Sequence, residues 1–291
     1  MEWFIATVGA ALLWSFTGIV AKELMNHESS LVYSFLYSVL ALIFYTPIFL
    51  YFSSAEITFT PLVIGAFLVS GLANVFGIMT YNYSIKLGEL SRVIPFTKLN
   101  PVFTALIAAL LLGESMTPLK VSGILLVTVG SYVILGERNT GWKQPFKSFI
   151  RERAPKIGAL SALIFSLAAV MDRYATQTVA PEIYTFMIFL FMTSGLTVYI
   201  STSKREVIPD IIPNLKNHRY KYAVTGIATA AATYLIFYAF SQAPASRVIP
   251  VLQIQVLISV IAGVMLFGED NLKQKLVGSA ILIAGVVLVA L

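Results

Sequence analysis

At 291 residues, 58% hydrophobic and 12% charged, with a mean hydropathy of +0.83, the chain has too few polar side chains to cover a soluble globule of its size, and it reads as a multispanning membrane protein. It has no cysteine and only two histidines, His27 and His218, both in expected loops, which argues against disulfides, thiolate metal sites and metal chemistry in general. The net charge of +6 does not point to nucleic acid, because eleven of the twenty Lys and Arg residues fall in two connecting segments, where they meet lipid headgroups.

The N-terminus opens Met1-Glu2-Trp3 without a basic stretch, and the apolar run behind it is long enough to span, so a retained helix is expected rather than a cleaved signal. Apolar runs bounded by charge, Pro or Gly give ten expected spans, at 3–23, 31–52, 61–84, 91–112, 117–136, 157–176, 182–201, 222–240, 246–267 and 272–291. Each is close to the twenty or so residues that a helix needs to cross a hydrocarbon core of roughly 30 Å.

One stretch occurs twice. Ser91 to Glu114 reads SRVIPFTKLNPVFTALIAALLLGE, and Ser246 to Glu269 reads SRVIPVLQIQVLISVIAGVMLFGE. An offset of 155 residues carries Pro95 onto Pro250 and Gly113-Glu114 onto Gly268-Glu269, and without a gap it also pairs Tyr83 with Tyr238, Gly123 with Gly278 and Gly130 with Gly285. Trp14-Ser15 of the first span matches Phe165-Ser166 of the sixth at an offset of 151. Five spans per copy is an odd number, so the second copy enters the membrane from the opposite side. The expected fold is therefore all-α and polytopic, ten transmembrane helices in two inverted five-helix repeats at 1–136 and 157–291, a construction common among secondary transporters with a midplane substrate site.

Small residues crowd the third and eighth spans, Gly65, Ala66, Ser70, Gly71, Ala73 and Gly77 in one and Gly226, Ala228, Ala230, Ala231 and Ala232 in the other, which permits close helix approach and puts both spans centrally. The segment 137–156 carries six cations around Trp142, Phe146, Phe149 and Ile150, the pattern of a basic interfacial helix, with a solvated linker as the competing reading. Ser203 to Lys221, with five cations and breaks at Pro209 and Pro213, reads as a surface loop. Both basic segments lie on the face opposite the termini, and that charge bias alone puts the termini outside.

The run Pro101-Val102-Phe103-Thr104-Ala105-Leu106, continuing to Leu111-Leu112-Gly113-Glu114, resembles the signature of the EamA-type branch of the drug/metabolite transporter superfamily. With the duplicated Gly-Glu ending, Trp14-Ser15 and ten spans in two halves, the resemblance covers essentially the whole chain. It implies a ten-helix, alternating-access carrier of small organic metabolites in the cell membrane, with EamA-like repeats at both ends of the chain. It also implies cytoplasmic termini, which we adopt as the expectation against the loop charges. The chain departs from internal equivalence where Gln255-Val256 replaces Asn100-Pro101, so a second kink is expected in the fourth span and not in the ninth.

Prolines inside a helix remove a hydrogen bond and kink it, so Pro95, Pro101 and Pro250 are expected kinks beside the pathway, or simple shapers of the bundle. Lys98 shares its span with no acidic residue before Glu114, and an ammonium near the bilayer centre costs about 2.5–3.5 kcal/mol, so it either faces a cavity that receives an anionic group, or pairs structurally or snorkels. Its counterpart is Gln253. Trp14, Ser15, Asn74, Tyr81, Asn82, Asn100, Tyr234, Tyr238, Gln253 and Gln255 are the polar and aromatic groups expected to line a site around it, each equally able to serve as a helix-to-helix bond. Asp172 and Arg173, deep in the sixth span, are candidates for coupling or for a structural ion pair, and the two Gly-Glu pairs are expected to end one helix and begin the next.

The expected activity is secondary transport of amino acids or related carboxylates, in the export direction, by a monomer whose duplication supplies both halves. The alternative is a phosphorylated-sugar or nucleotide-sugar exchanger, which the single cation at Lys98 disfavours. An intramembrane lipid-processing enzyme is a remote alternative: the sequence has no zinc-binding histidine motif, no paired carboxylates within one span, no nucleophile elbow, and no ATP-binding loop or other cofactor motif.

Overall fold

The computed structural model describes residues 1–24, 29–52, 60–88, 90–135, 149–258 and 272–291, without the side chains of Lys22, Asn82, Leu90, Ser91, Arg92, Pro95 and Leu272. Its helices are α1 (Glu2–Leu24), α2 (Ser30–Phe52), α3 (Pro61–Leu87), α4 (Leu90–Thr97), α5 (Asn100–Leu112), α6 (Pro118–Leu135), α7 (Arg153–Ala175), α8 (Pro181–Ser203), α9 (Ile208–Asn217), α10 (Arg219–Gln242), α11 (Ala245–Leu252) and α12 (Leu272–Ala290). Eight are long and apolar enough to cross a membrane, and two shorter apolar segments, Asn100–Leu112 and Ala245–Ile258, occupy the fourth and ninth places.

Helix starts follow local chemistry. Prolines open α3, α6 and α8, where a missing N–H costs nothing, and Thr60 caps α3 through Val63 N at 3.3 Å. At its other end α5 stops at Gly113, whose φ of 65° is left-handed, and Glu114 N closes the turn onto Ala108 O at 3.2 Å.

The packing repeats itself when the two sets of five spans are exchanged. α3 lies on α7 as α1 lies on α10, α2 on α10 as α8 on α3, and α4 on α7 as α11 on α1. Two further major pairs, α6 with α12 and α2 with α8, each map onto themselves. A Cβ on Gly123 would sit 2.8 Å from Gly285 O, and one on Gly130 would sit 2.8 Å from Gly278 O, so the chain runs up one helix as it runs down the other. Exchanging the repeats turns one contact into the other. The axis relating them therefore runs across these antiparallel helices, in the membrane plane, which is the inverted arrangement expected from the odd number of spans.

Two local expectations change. Ser203 to Lys221 is a 3₁₀ turn followed by α9, whose Ile211 and Leu215, with Val207 ahead of them, pack against the cluster of Val32, Tyr33, Leu36 and Tyr222; apolar spacing at helical period outweighed the two prolines. Pro209 sits in the first turn, where it is tolerated. The interfacial helix expected at 137–156 lies largely outside the described residues.

Glu114 does not begin the next helix. It crosses to the second half, where its carboxylate accepts bonds from Ala245 N (2.8 Å), Ser246 N (3.1 Å) and Ser246 Oγ, with Lys120 Nζ 4.0 Å away. It thus supplies the cap that Pro244, the residue ahead of α11, lacks. Its equivalent, Glu269, lies outside the described residues.

Gly130→Ala should lower the unfolding free energy by about 1–3 kcal/mol, because the new Cβ meets the backbone of Leu282, which cannot swing aside. Gly18→Ala, with nothing within 4 Å, should gain up to about 1 kcal/mol from helix propensity. Thermal unfolding in micelles compares them; equal effects would mean that the glycine contact is not a constraint. Glu114→Ala should cost about 1.5–3 kcal/mol in the same assay, the usual worth of a hydrogen bond to a charged group, and a neutral result would remove its capping role.

Candidate functional site

The fourth and ninth spans are both broken along their length, at equivalent places. α4 ends at Thr97, Lys98 and Leu99 form a turn, and α5 starts at Asn100 with Pro101 second, so no N–H at 101 can reach back to Thr97. In the other half α11 ends at Leu252 and Gln253 alone forms the turn, with Gln253 N bonded to Pro250 O (3.1 Å) and Val256 N to Gln253 O (2.9 Å), both three residues back. The break therefore forms without a second proline, contrary to the inequivalence expected from Gln255-Val256. What the two copies share is the proline at 95 and 250, upstream of each break by the same distance.

Each break is held by an unbroken helix from the other repeat. Ser15 Oγ on α1 lies 2.7 Å from Ala11 O and 3.0 Å from Gln255 O; Ser166 Oγ on α7 lies 2.7 Å from Ala162 O and 3.0 Å from Asn100 O. In each case one hydroxyl proton is shared between its own helix and the facing one, and the two clips are repeat equivalents.

Between them lies a cavity of about 400 Å³, a volume suited to a small organic solute. Of the expected residues it is lined by Trp14, Asn74, Lys98, Asn100, Gln253, Gln255 and Asp172. Ser15 is buried in its clip behind the wall. Tyr81 is on α3 one turn past Ile78, the last α3 residue at the cavity, and the Asn82 side chain lies outside the described residues. Tyr234 and Tyr238 turn away, donating to Glu182 Oε1 (3.0 Å) and Glu2 Oε2 (2.7 Å). Arg173 is also directed elsewhere, its guanidinium donating to Phe240 O, and it forms no ion pair with Asp172. Pro101 and Pro250 are buried in their helices at the breaks, and Pro95 is described only by its backbone.

Two cavity groups are short of partners. Lys98 has no hydrogen bond or ion pair among the described residues. Gln253 is 4% exposed, and its Oε1 likewise accepts nothing among them. Asp172, in contrast, is held: Tyr184 OH donates to its Oδ1 at 2.6 Å, Ser70 Oγ donates to the same oxygen, and Asn74 Nδ2 donates to Ser70 O at 3.0 Å.

Sequence reasoning missed Tyr37, Ser70, Tyr184, Thr229 and Thr233. Thr229 and Thr233 were legible as hydroxyls four apart in an apolar span, hence on one helix face. Ser70 was read only as a small packing residue, and Tyr184, in the first turn of α8, carried no signal.

The EamA-like transporter family matches residues 1–136 and 156–291. The chain belongs to that family. It is a multi-pass membrane protein that transports small metabolites, and not an enzyme. Among its relatives are proteins named probable glucose uptake protein GlcU from Bacillus cereus, 27% identical over 79% of this chain and 77% of that one, and from Priestia megaterium, 27% identical over 80% and 78%. A solved crystal structure matches with a TM-score of 0.78 over 98% of this chain and 95% of the other at 17% identity, which shows a shared fold alone.

The absence of native cysteine makes the cavity directly testable. Thr233→Cys, at the cavity, should react with a small aqueous methanethiosulfonate reagent, and Ser161→Cys, fully buried in α7 away from it, should not. Equal reactivity would mean that water does not reach the site as drawn.

Proposed function

We propose that the chain is a secondary carrier that moves a compact, carboxylate-bearing metabolite by alternating access, with Lys98 receiving the anionic group. The observation that carries this reading is the Lys98 ammonium, at the break of the fourth span and at the cavity, without a partner among the described residues. A charge so placed costs about 2.5–3.5 kcal/mol, and a solute carboxylate offsets it. The amides of Asn74, Asn100, Gln253 and Gln255 and the ring of Trp14 suit the rest of an amino acid or a related small acid. A dianionic phosphate fits less well, because the equivalent of Lys98 is the neutral Gln253.

A second reading, a neutral sugar, is favoured by the name of the GlcU relatives and by the unmatched acceptor at Gln253 Oε1, which suits a sugar hydroxyl. The two halves, 1–136 and 157–291 with the basic linker 137–156 between them, rock about the cavity in a monomer of the cell membrane whose termini are cytoplasmic. Export and uptake are the same cycle run in opposite senses, so direction follows the gradient.

Counterflow in proteoliposomes with labelled alanine, glutamate, glucose and glucose phosphate tests these readings. Lys98→Gln should weaken the acidic or zwitterionic solutes by about 1.5–3 kcal/mol, roughly ten- to hundredfold, and leave glucose nearly unchanged. Unaltered transport of every solute by the variant would dismiss the role of Lys98, and glucose as the one solute moved would establish the second reading.

A further inference from the structure

The single carboxylate among the described lining residues is Asp172, 6% exposed and close to the end of α7. It stands six residues beyond Ser166, about 9 Å along the helix, and Ser166 is clipped to Asn100, two residues from Lys98. The acidic and basic groups thus occupy different depths of one cavity. We propose that Asp172 is a proton-binding site separate from the solute's anion contact, taking up and releasing one proton per cycle and so coupling the carrier to a proton gradient.

The hydrogen bonds suit that task. Tyr184 OH and Ser70 Oγ both donate to Oδ1, and Oδ2 receives no hydrogen bond among the described residues. A proton from cavity water adds to Oδ2, the carboxylate becomes a neutral acid, and Oδ1 remains an acceptor, so both hydroxyl bonds survive in either state. Release to water on the other face restores the carboxylate, and no other bond changes. A carboxylate removed from bulk water requires a cation, strong donors or a proton.

No cation among the described residues meets Asp172. Arg173 on the same helix is committed to Phe240 O, with Glu114 beyond it, and Lys98 and Tyr37 face the cavity at other places. Tyr184 is the titratable group in contact; Glu182, two residues earlier on α8, turns to Tyr234, and the cavity faces of α3, α10 and the α11 break are uncharged. A metal ion in place of the proton would need several oxygen ligands with free lone pairs, whereas both hydroxyls here point their protons at Oδ1, and no cluster of three or more acidic, His or Cys ligands occurs among the described residues.

The use of the proton rests on the carrier reading, but the titration does not, and infrared difference spectroscopy measures it without any solute. Purified protein in vesicles of phosphatidylethanolamine and phosphatidylglycerol should show a protonated-carboxyl C=O stretch that appears and disappears between mildly acidic and mildly alkaline pH and is missing from Asp172→Asn. Tyr184→Phe, which removes one donor, should displace its midpoint; Tyr220→Phe, on the exposed surface, should not. A wild-type band that persists into alkali, or no difference between wild type and Asp172→Asn, would overturn the proposal. Should Asp172→Asn fail to fold, an unmoved midpoint in Tyr184→Phe has the same force. In alanine and glucose counterflow, whatever flux Asp172→Asn retains should lose its pH dependence, and a wild-type pH profile in that variant would overturn coupling. Absence of any flux in the wild type removes the carrier reading and leaves the titration standing.

Discussion

Two serine hydroxyls tie the structure to its site. In a bilayer no water is at hand to satisfy a broken backbone, so an interrupted helix survives only where protein groups or a wet cavity meet it. Ser15 and Ser166 sit one turn above the carbonyls of Ala11 and Ala162 and reach across to Gln255 O and Asn100 O, which pins each broken helix to an unbroken one from the other repeat. Because the clips come from opposite halves, a relative movement of the halves must act on both breaks. The side chains beside those breaks, Lys98 and Gln253, are the ones that face the cavity.

The chain treats its buried charges in three different ways. Glu114 is met by the N-terminus of α11, two amides and a hydroxyl, and belongs to the fold. Asp172 is met by neutral hydroxyls on one oxygen only. Lys98 is met by nothing among the described residues. The carboxylate that caps a helix is fully met and the ammonium at the break beside the cavity is not, which is the distribution expected when the unsatisfied groups serve a passing solute and the satisfied ones hold the helices in place.

Sequence reasoning reached the cavity through Lys98, Gln253, Asn100, Gln255, Asn74 and Trp14 because polar groups in apolar spans are costly and therefore informative. It did not separate them from Tyr234 and Tyr238, since a tyrosine on a helix reads the same whether it faces a cavity or, as here, a glutamate at the membrane face. The break in the ninth span was also hidden: its sequence lacks the second proline, and its turn at Gln253 is visible only in which carbonyls Gln253 N and Val256 N choose.

By itself the sequence determined the class, the number of spans and the inverted duplication, because hydropathy, an odd span count and a gapless 155-residue offset are properties of the linear chain. Only the tertiary structure decided that Glu114 caps a helix 131 residues away and that Arg173 turns from its neighbour Asp172 to Phe240. It alone decided too that Ser70 and Tyr184, 114 positions apart, meet at one carboxylate oxygen. Those choices depend on how helices rotate about their own axes, and a uniformly apolar span leaves that rotation unspecified until small residues such as Gly123 and Gly130 let a neighbouring backbone come close enough to fix it.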